Sequence, residues 1–560
     1  MIRTWVSRTL ATISLATMLT MVSTFSVSAQ QAEALKPAIL DRAAAGEIEQ
    51  LLDRGRELEF ENRWGEALSH YESALRSHPA SRRLEQRILL SRLHYDVERR
   101  YHDRSFREAL RSLSEQDALS LYGEVLLKVR SHYVDEPNWH LLVDRGTASL
   151  DVAMSEPAFR KRYLVDVSAE QVARFRRNLQ SRLSAMTIDD RHAAREAAAT
   201  AARLAWQQLH LAPTAVVLEY TSGATHGLDD YSAYLTADQL NEVYSQIDGN
   251  FVGLGIELKT DDGRLKIINV IQGSPAERAG IHDGQYILSV DGKNTDELST
   301  DAAADLLQGP EGSSIELTVA ATDESPLKAR VRRERVDVPS VEGVQLLDRQ
   351  DGIAYLKLTC FQKTTSRDMD NALWKLHRQG MRSLIMDLRG NPGGLLSASV
   401  EVADKFITAG SIVSTRGRDP HEDFNYQAHR AGTWRVPLVV LIDGDSASAS
   451  EIFSGAIRDH HRGVLVGSRS YGKGSVQGIF PLNVAHFGLR LTTAKFYSPN
   501  GLPFSKVGVE PDVAVLPAHH VARPVSNSGG QLVEDHANPA NADSALEAAI
   551  QQARMQLARR

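Results

Sequence analysis

The chain has 560 residues, 42% of them hydrophobic and 24% charged, and a formal net charge of −7 at pH 7. This composition is that of a globular protein, and the length suggests about three or four domains. The acidic balance gives no electrostatic basis for binding nucleic acid or an acidic membrane surface, so neither is a predicted partner. Cys360 is the single cysteine, which excludes an internal disulfide, and its apolar neighbours predict a buried core residue. No Cys/His spacing typical of zinc occurs, and no metal or organic cofactor is predicted.

The N-terminus has the pattern of a secretory signal. Arg3 and Arg8 precede an apolar stretch, residues 10–25, and Val27-Ser28-Ala29 has the small residues of a cleavage site. We therefore expect residues 1–29 to be a signal peptide cut after Ala29, which in a bacterium means a periplasmic or secreted protein. An uncleaved membrane anchor is the alternative, although the threonines and serines in the apolar stretch argue against a span.

Residues 30–113 are predicted to be helical and to contain a TPR-like (tetratricopeptide-like) repeat. Its small and aromatic positions are Gly55, Ala67, Tyr71 and Ala74, followed by Pro79. Small residues let two antiparallel helices approach, the aromatic ring fills the groove, and the proline ends the second helix. This region is a possible docking site for an adaptor protein, and an ordinary helical hairpin is the alternative. Residues 114–250 continue the helical pattern.

The hydrophobic period changes at residue 251, where short strands alternate with two short helices up to residue 331. The predicted helices are Ser274–Ile281 and Ala302–Leu307. This pattern resembles a PDZ domain, which binds a peptide C-terminus by strand addition. The loop that matches the carboxylate-binding loop is Gly253-Leu254-Gly255-Ile256, where glycine permits close backbone approach. A glycine-rich turn without a ligand is the alternative.

Residues 336–516 alternate strands and helices, which predicts an α/β core with a largely parallel sheet. The strand Leu384–Leu388 runs into the glycine loop at residues 389–394, and a helix follows at Leu396–Phe406. Such a loop frees backbone N–H groups that can hold an anion.

A second strand-to-helix turn contains the candidate nucleophile. The aliphatic strand Leu438–Ile442 is followed by small residues and then by a helical stripe, which places Ser448 at the helix N-terminus. Serine needs an adjacent base, and Lys473 in a Gly-flanked turn is the candidate if burial lowers its pKa. Gln477 can orient the lysine through its amide. On this local pattern alone, a helix N-cap and a solvated loop remain the alternatives.

Residues 517–542 are rich in Pro, Asn, Ser and Gly and are predicted to form a linker. Residues 543–560 are predicted to form a final helix, opened by a capping box from Ser544 to Glu547. Its apolar face is expected to pack on the core or on a partner.

The motifs D-S-A-S-A-S-E-I and Y-G-K-G-S-V-Q resemble the carboxyl-terminal processing peptidases, which are serine–lysine proteases. The resemblance runs from about Leu119 to Val515. It implies Ser448 as nucleophile, Lys473 as base, Gln477 as its orienting partner, and the N–H groups of Gly394 and Ala449 as the oxyanion hole. It also implies a multidomain α/β protein with a crotonase-like ββα core, and protein or peptide substrates with free C-termini.

Two alternatives remain open at this point. The chain can be an inert scaffold that binds partners through its repeat-like and PDZ-like regions. It can also be a serine–histidine hydrolase, for which four histidines are candidates without a supporting motif: His421, His429, His460 and His461.

Overall fold

The computed structural model describes residues 46–261, 264–295, 306–307, 309–321, 325–429, 433–515 and 543–559. The predicted signal peptide (1–29), residues 30–45 of the helical region and the predicted linker (517–542) lie outside these ranges. So does most of the predicted helix Ala302–Leu307, of which residues 306–307 are helical. Within the described residues, no helix has the length and apolar character needed to span a membrane.

The N-terminal part of the structure is a helical array. Its centre is α10, in which every residue from Thr214 to Thr225 is buried. Alanines on α9 let the neighbouring helices pack closely around it. The helices are α1 46–60, α2 Trp64–Ser77, α3 Arg82–His102, α4 Arg104–Ser112, α5 Glu115–His132, α6 Trp139–Ala153, α7 Pro157–Tyr163, α8 Ala169–Ser184, α9 Arg191–Leu209, α10 Pro213–Thr225 and α11 Ala237–Asp248.

The first two helices form a tight hairpin. A Cβ on Gly55 of α1 would lie 2.1 Å from the ring of Tyr71 on α2, and Tyr71 is fully buried. Only a residue without a side chain allows this approach. The hairpin has its own small apolar cluster, which it shares with the start of α3.

The PDZ region is a small antiparallel sheet in the order β3-β4-β5-β7-β8, with β6 paired to β5. The final strand, β8, was missed in the sequence, although its alternating burial is the period-2 signal of a half-buried strand. The elements are β3 Ile256–Asp261, β4 Arg264–Val270, α12 Pro275–Arg278, β5 Tyr286–Val290, β6 Lys293–Asn294, β7 Ser314–Ala320 and β8 Leu327–Arg332. A two-stranded ribbon, β2 Asn250–Gly253 with β9 Glu334–Asp337, connects it to the rest of the chain.

The core is a six-stranded sheet in the order β10-β11-β12-β15-β16-β19, parallel except for β10. Its central strands are aliphatic on both faces because helices cover both sides. Three helices, α13 to α15, pack on one face, and α16 packs on the other. The elements are β10 Val341–Asp348, β11 Ile353–Leu358, α13 Thr365–Arg378, β12 Ser383–Asp387, α14 Leu396–Asp404, β15 Leu438–Ile442, α15 Ala449–Asp459, β16 Val464–Gly467, β19 Val513–Ala514 and α16 Ser544–Ala558. The predicted mixed helix-and-sheet, multidomain fold is confirmed.

A second sheet joins the helical array to this core. Its order is β1-β18-β13-β14, with β17 also paired to β18. The short strand β1 belongs to the helical region, yet it pairs with β18 of the core, with Ala233 opposite Arg490. The strands are β1 Ala233–Leu235, β13 Ser411–Gly417, β14 Asn425–Gln427, β17 Ser475–Pro481 and β18 Gly488–Tyr497.

The C-terminal helix differs from its prediction at one point. Its N-cap is Asp543, whose Oδ1 accepts a hydrogen bond from the N–H of Leu546 at 3.0 Å, so the predicted capping box at Ser544 is wrong by one residue. Asp543 also pairs with Arg389, a long-range contact that the local sequence does not reveal. Ala549 and Ala553 are buried against the sheet, so the helix packs on the core.

Candidate active site

Ser448 lies in the turn between β15 and α15, directly before the first residue of the helix. Its backbone has φ 56° and ψ −113°, a conformation that residues with a side chain rarely adopt. Backbone strain of this kind is found where a side chain must be presented in one direction. The turn is held by Asp443, whose Oδ1 accepts from the N–H groups of Ser446 and Gly390 at 3.0 Å each.

Lys473 lies in the loop between β16 and β17, and its side chain turns toward the helical array. Its Nζ lies over the ring of Tyr231, 5.1 Å from the centroid. Burial, and after it the positive charge of Arg490, lower the pKa of Lys473, while Glu451 and Asp229 act in the opposite direction. The lowered pKa makes the neutral amine more accessible, which is the form that can accept a proton.

Glu451 connects these two residues, and the sequence analysis missed it. Its Oε2 accepts from the backbone N–H of Ser448 at 2.8 Å and from that of Lys473 at 2.9 Å. Its Oε1 accepts from the hydroxyl of Ser470 at 2.7 Å and from the N–H of Gly472 at 2.6 Å. The side chain is fully buried, and burial raises its pKa against the effect of these four donors. The Ser-x-x-Glu spacing at a helix start was the available signal.

The glycine loop after β12 packs directly against the Ser448 turn. A Cβ on Gly393 would lie 2.6 Å from the carbonyl oxygen of Ala447 and 2.8 Å from the nitrogen of Ala449. A Cβ on Gly394, where φ is +137°, would lie 2.0 Å from the carbonyl oxygen of Phe361. Both positions therefore require glycine. The structure brings together the two loops that the sequence pattern singled out.

Asn391 fixes the distance between those loops. Its side-chain amide donates to the carbonyl of Leu358 at 2.7 Å, and its own carbonyl accepts from the N–H of Ala447 at 3.0 Å. Among the described residues, the N–H groups of Gly394 and Ala449 donate to no protein acceptor. Two free N–H groups on adjoining loops can stabilise a negative oxygen.

The side-chain amide of Gln477 donates hydrogen bonds to Ser475 and, within the described part of the chain, makes none with Lys473. Its Nε2 donates to the carbonyl of Ser475 at 3.1 Å and to the hydroxyl of the same residue at 2.9 Å. The register between β17 and β18 shifts between Val476 and Gln477. Its role as orienting partner stays a prediction.

The four candidate histidines are either exposed beside aspartates or at the far end of the helix that Ser448 precedes. The side chains of His421 and His429 are 94% and 78% exposed and contact Asp419 and Asp404. His460 and His461 follow the C-terminal end of α15, which at about 1.5 Å per residue puts one helix length between them and Ser448.

The predicted peptide-binding loop, Gly253 to Ile256, begins the PDZ sheet at its edge. A Cβ on Gly255, where φ is +82°, would lie 2.2 Å from the Cβ of Ser274, and Leu254 is buried below the loop. The strand that follows, β3, pairs with β4 alone in the described sheet. An edge strand offers unpaired backbone groups to an added strand.

Neither a metal centre nor a reactive thiol is found among the residues that the structure describes. No group of three or more His, Cys, Asp or Glu side chains there can hold a metal ion. Cys360 is half-buried, and burial raises the pKa of its thiol. A thiol with a raised pKa is a poor nucleophile.

Comparisons with known proteins match the core that contains Ser448 and Lys473 and the part of the PDZ sheet from β4 to β7. The model of Peptidase family S41 matches residues 352–515, and the PDZ domain model matches residues 266–320. The chain is 37% identical over 301 residues to a carboxy-terminal-processing protease of Bartonella bacilliformis. The aligned region covers 52% of this chain and 68% of that protein. The chain is also 36% identical over 267 residues to a carboxyl-terminal-processing protease of Synechocystis sp. That aligned region covers 47% of this chain and 62% of that protein. The solved structure of a photosystem II D1 C-terminal processing protease covers 71% of this chain and 92% of its own, at 24% identity and a TM-score of 0.38.

Proposed function

The chain belongs to peptidase family S41, the carboxy-terminal-processing proteases, and from that premise we propose a serine endopeptidase that uses Ser448 as nucleophile and Lys473 as base. One observation carries the proposal. The backbone N–H groups of Ser448 and Lys473 share one buried carboxylate oxygen of Glu451, which keeps the two loops in one fixed relation. A nucleophile and its base need such a relation.

The first half of the reaction forms an acyl-enzyme. The Oγ of Ser448 attacks the carbonyl carbon of the scissile peptide bond, and the neutral amine of Lys473 takes the hydroxyl proton. The carbonyl oxygen becomes negative and accepts from the N–H groups of Gly394 and Ala449. When the C–N bond breaks, the ammonium of Lys473 gives a proton to the leaving amine.

The second half restores the enzyme. Lys473 takes a proton from a water molecule, whose oxygen attacks the ester carbonyl of the acyl-Ser448. The tetrahedral intermediate collapses, the carboxyl product leaves, and Ser448 regains its proton. We assign Gln477 to the orientation of Lys473 during these transfers, after a rotation of its amide away from Ser475. No metal or organic cofactor takes part in this scheme.

Cleavage of an unfolded polypeptide, followed by intact mass, tests the proposal. Ser448→Ala and Lys473→Ala should each lose activity by at least about 10⁴-fold. The matched control is Lys495→Ala, because Lys495 is a half-exposed lysine on the adjacent strand β18. Full activity in Lys473→Ala would favour a histidine base. No cleavage by the unaltered chain would favour the inert scaffold.

Substrate recognition is proposed to begin at the PDZ domain, which takes a free C-terminus of a protein or peptide. The supporting features are the glycine loop at residues 253–256 and the edge position of β3. A fluorescent peptide with a free apolar C-terminus should bind the Ser448→Ala chain more tightly than the same peptide with an amidated end. Equal affinity for both peptides would show that the C-terminal carboxylate takes no part in recognition.

Two further assignments rest on sequence pattern and on the hairpin geometry. We assign the α1–α2 hairpin as a TPR-like docking element for an adaptor protein, supported by the close contact of Gly55 with Tyr71. We also assign the core to the crotonase-like ββα type. The N-terminal pattern supports a periplasmic or secreted location, which cell fractionation tests directly.

A further inference from the structure

Tyr231 covers the amine of Lys473, although the two residues belong to different parts of the molecule. Tyr231 lies between α10 and β1 in the helical region, and its ring centroid is 5.1 Å from the Nζ of Lys473. We propose that Tyr231 is a positioning residue, which shields this amine from water and holds it in place for proton transfer. The inference deepens the proposed function and rests on the role of Lys473 as base.

The backbone of Tyr231 is fixed by its neighbours. Asp229 Oδ1 accepts from the N–H groups of Tyr231 and Ser232 at 2.8 and 2.7 Å, which closes a tight turn. The Nε of Arg490 donates to the carbonyl of Tyr231 at 2.9 Å. The hydroxyl of Ser232 accepts from the N–H of Thr492 at 3.2 Å. The ring is therefore attached to the same strand, β18, that pairs with the strand following Lys473.

A second attachment comes from the N-terminal helices. Arg92 on α3 donates to Asp230 at 2.5 Å and to Glu72 on α2 at 3.0 Å. The Arg92 side chain is 23% exposed, whereas its partners Asp230 and Glu72 lie at the surface. Asp230, which precedes Tyr231 in the chain, is thus bound by Arg92, and Arg92 also binds Glu72 of the α1–α2 hairpin.

An aromatic ring suits both protonation states of a catalytic amine. Its bulk excludes water from one side, and loss of hydration disfavours the ammonium. Its π face still attracts the ammonium that forms when Lys473 takes the serine proton. A saturated side chain of similar size excludes water but lacks this attraction. Burial raises the pKa of the Tyr231 phenol, so the group stays neutral and adds no charge beside Lys473.

Three charged groups act on the same amine, and each remains when Tyr231 is changed. Arg490 on β18 disfavours the ammonium, while Glu451 on α15 and Asp229 in the adjoining turn favour it. A variant at position 231 therefore changes hydration and the ring attraction while these charges stay in place.

The test measures the titration of Lys473 directly, by the pH dependence of its acetylation with acetic anhydride, read by peptide mass. In Tyr231→Ala, water enters, and the midpoint should rise by about one pH unit or more. In Tyr231→Leu the side chain still excludes water, but the attraction of the π face for the ammonium is lost. The pH midpoint of Lys473 acetylation should therefore fall. Tyr231→Phe keeps the ring and should match the unaltered chain. If Tyr231→Ala does not fold, a lowered midpoint in Tyr231→Leu beside an unchanged midpoint in Tyr231→Phe still decides.

Activity gives the second measurement. The rising limb of the pH profile of kcat/KM should move with the acetylation midpoint, because both report the free base. A ring that only supports the fold would lower activity uniformly and leave all midpoints equal, which would overturn the inference. Midpoints that shift as expected, together with full activity in Lys473→Ala, would support the shielding and contradict the proposed function.

Discussion

Ser448 and Lys473 donate their backbone N–H groups to the same atom, Oε2 of Glu451, at 2.8 and 2.9 Å. The second oxygen of this carboxylate accepts from Ser470 and Gly472 in the loop of the lysine. A buried carboxylate with four donors fixes the relative position of the loops that it joins. The geometry between the proposed nucleophile and the proposed base thus depends on a residue that takes no part in the proposed bond changes.

Glu451→Gln should separate the two loops while keeping the shape of the side chain. A glutamine side chain has one oxygen, so its NH₂ group takes the place of the other carboxylate oxygen. That NH₂ group then faces two hydrogen-bond donors and cannot accept from them. Each broken buried hydrogen bond costs about 1–3 kcal/mol, which predicts a loss of about 10- to 100-fold in kcat/KM. The check is to measure kcat/KM at a temperature at which a thermal unfolding curve shows that the variant is folded. Unchanged kcat/KM in that variant would contradict the role of Glu451.

Gly394→Ala should damage the proposed oxyanion hole. The added Cβ would lie 2.0 Å from the carbonyl oxygen of Phe361, so the loop must move and the N–H of residue 394 moves with it. Loss of one oxyanion donor generally lowers kcat by about 100- to 1,000-fold. Gly390→Ala is the matched control, because Gly390 has φ +71° in the same loop with nothing near its Cβ position. Equal effects in both variants would point to backbone strain alone.

The rising limb of the pH profile should lie below the ordinary lysine pKa of about 10.4. Burial and then Arg490 lower the pKa of Lys473. In the proposed mechanism, activity requires the neutral amine. In Arg490→Met the neighbouring positive charge is gone, the ammonium is less disfavoured, and the limb should move to higher pH. Arg469→Met is the control, because Arg469 is exposed and paired with Glu510. An unchanged limb in Arg490→Met would exclude this electrostatic contribution.

The pairing of Asp543 with Arg389 should stabilise the fold in a pH-dependent way. Arg389 lowers the pKa of Asp543, so the contribution is present above the unfolded pKa and is lost as pH falls through the folded pKa. The Asp543 side chain is 41% exposed, which limits the contribution to below about 1 kcal/mol. Asp543→Ser keeps an N-cap and loses the ion pair. Its deficit in thermal unfolding at pH 7 should begin to shrink below about pH 4 and should vanish only once the pH is below the lowered pKa of Asp543.

Asp543→Ala provides the matched comparison, since it loses both the ion pair and the helix N-cap. It should be less stable than Asp543→Ser by about 1 kcal/mol at every pH, because a cap formed by serine does not titrate. A deficit of Asp543→Ser that stays constant down to acidic pH would show that the ion pair does not stabilise the fold.

Sequence patterns predict local features of this molecule well. The turn at Ser448 and the glycine loop at 389–394 are strand-to-helix junctions, which small residues and aliphatic runs define locally. The contact of Gly55 with Tyr71 is likewise set by a spacing within one hairpin. Each feature depends on residues that are near in the chain, so the sequence carries the signal.

Features that depend on tertiary packing were missed. Glu451 has the appearance of an ordinary helix-start glutamate, and its contact with the Lys473 loop appears only when β16 and β15 pair. Tyr231 meets Lys473 because β1 joins the sheet of β18, a pairing between distant segments. The contact of Asp543 with Arg389 also joins segments that are far apart in the chain.

The central claim, that Ser448 attacks the substrate, is tested most directly by trapping the acyl-enzyme. The purified chain is mixed with a slowly deacylating peptide ester, quenched in acid and digested, and the modified peptide is identified by mass. The account predicts one acyl group, on Ser448, which is absent in Ser448→Ala and forms at least about 100-fold more slowly in Gly394→Ala. Acylation at another residue, or substrate cleavage that persists in Ser448→Ala, would contradict it.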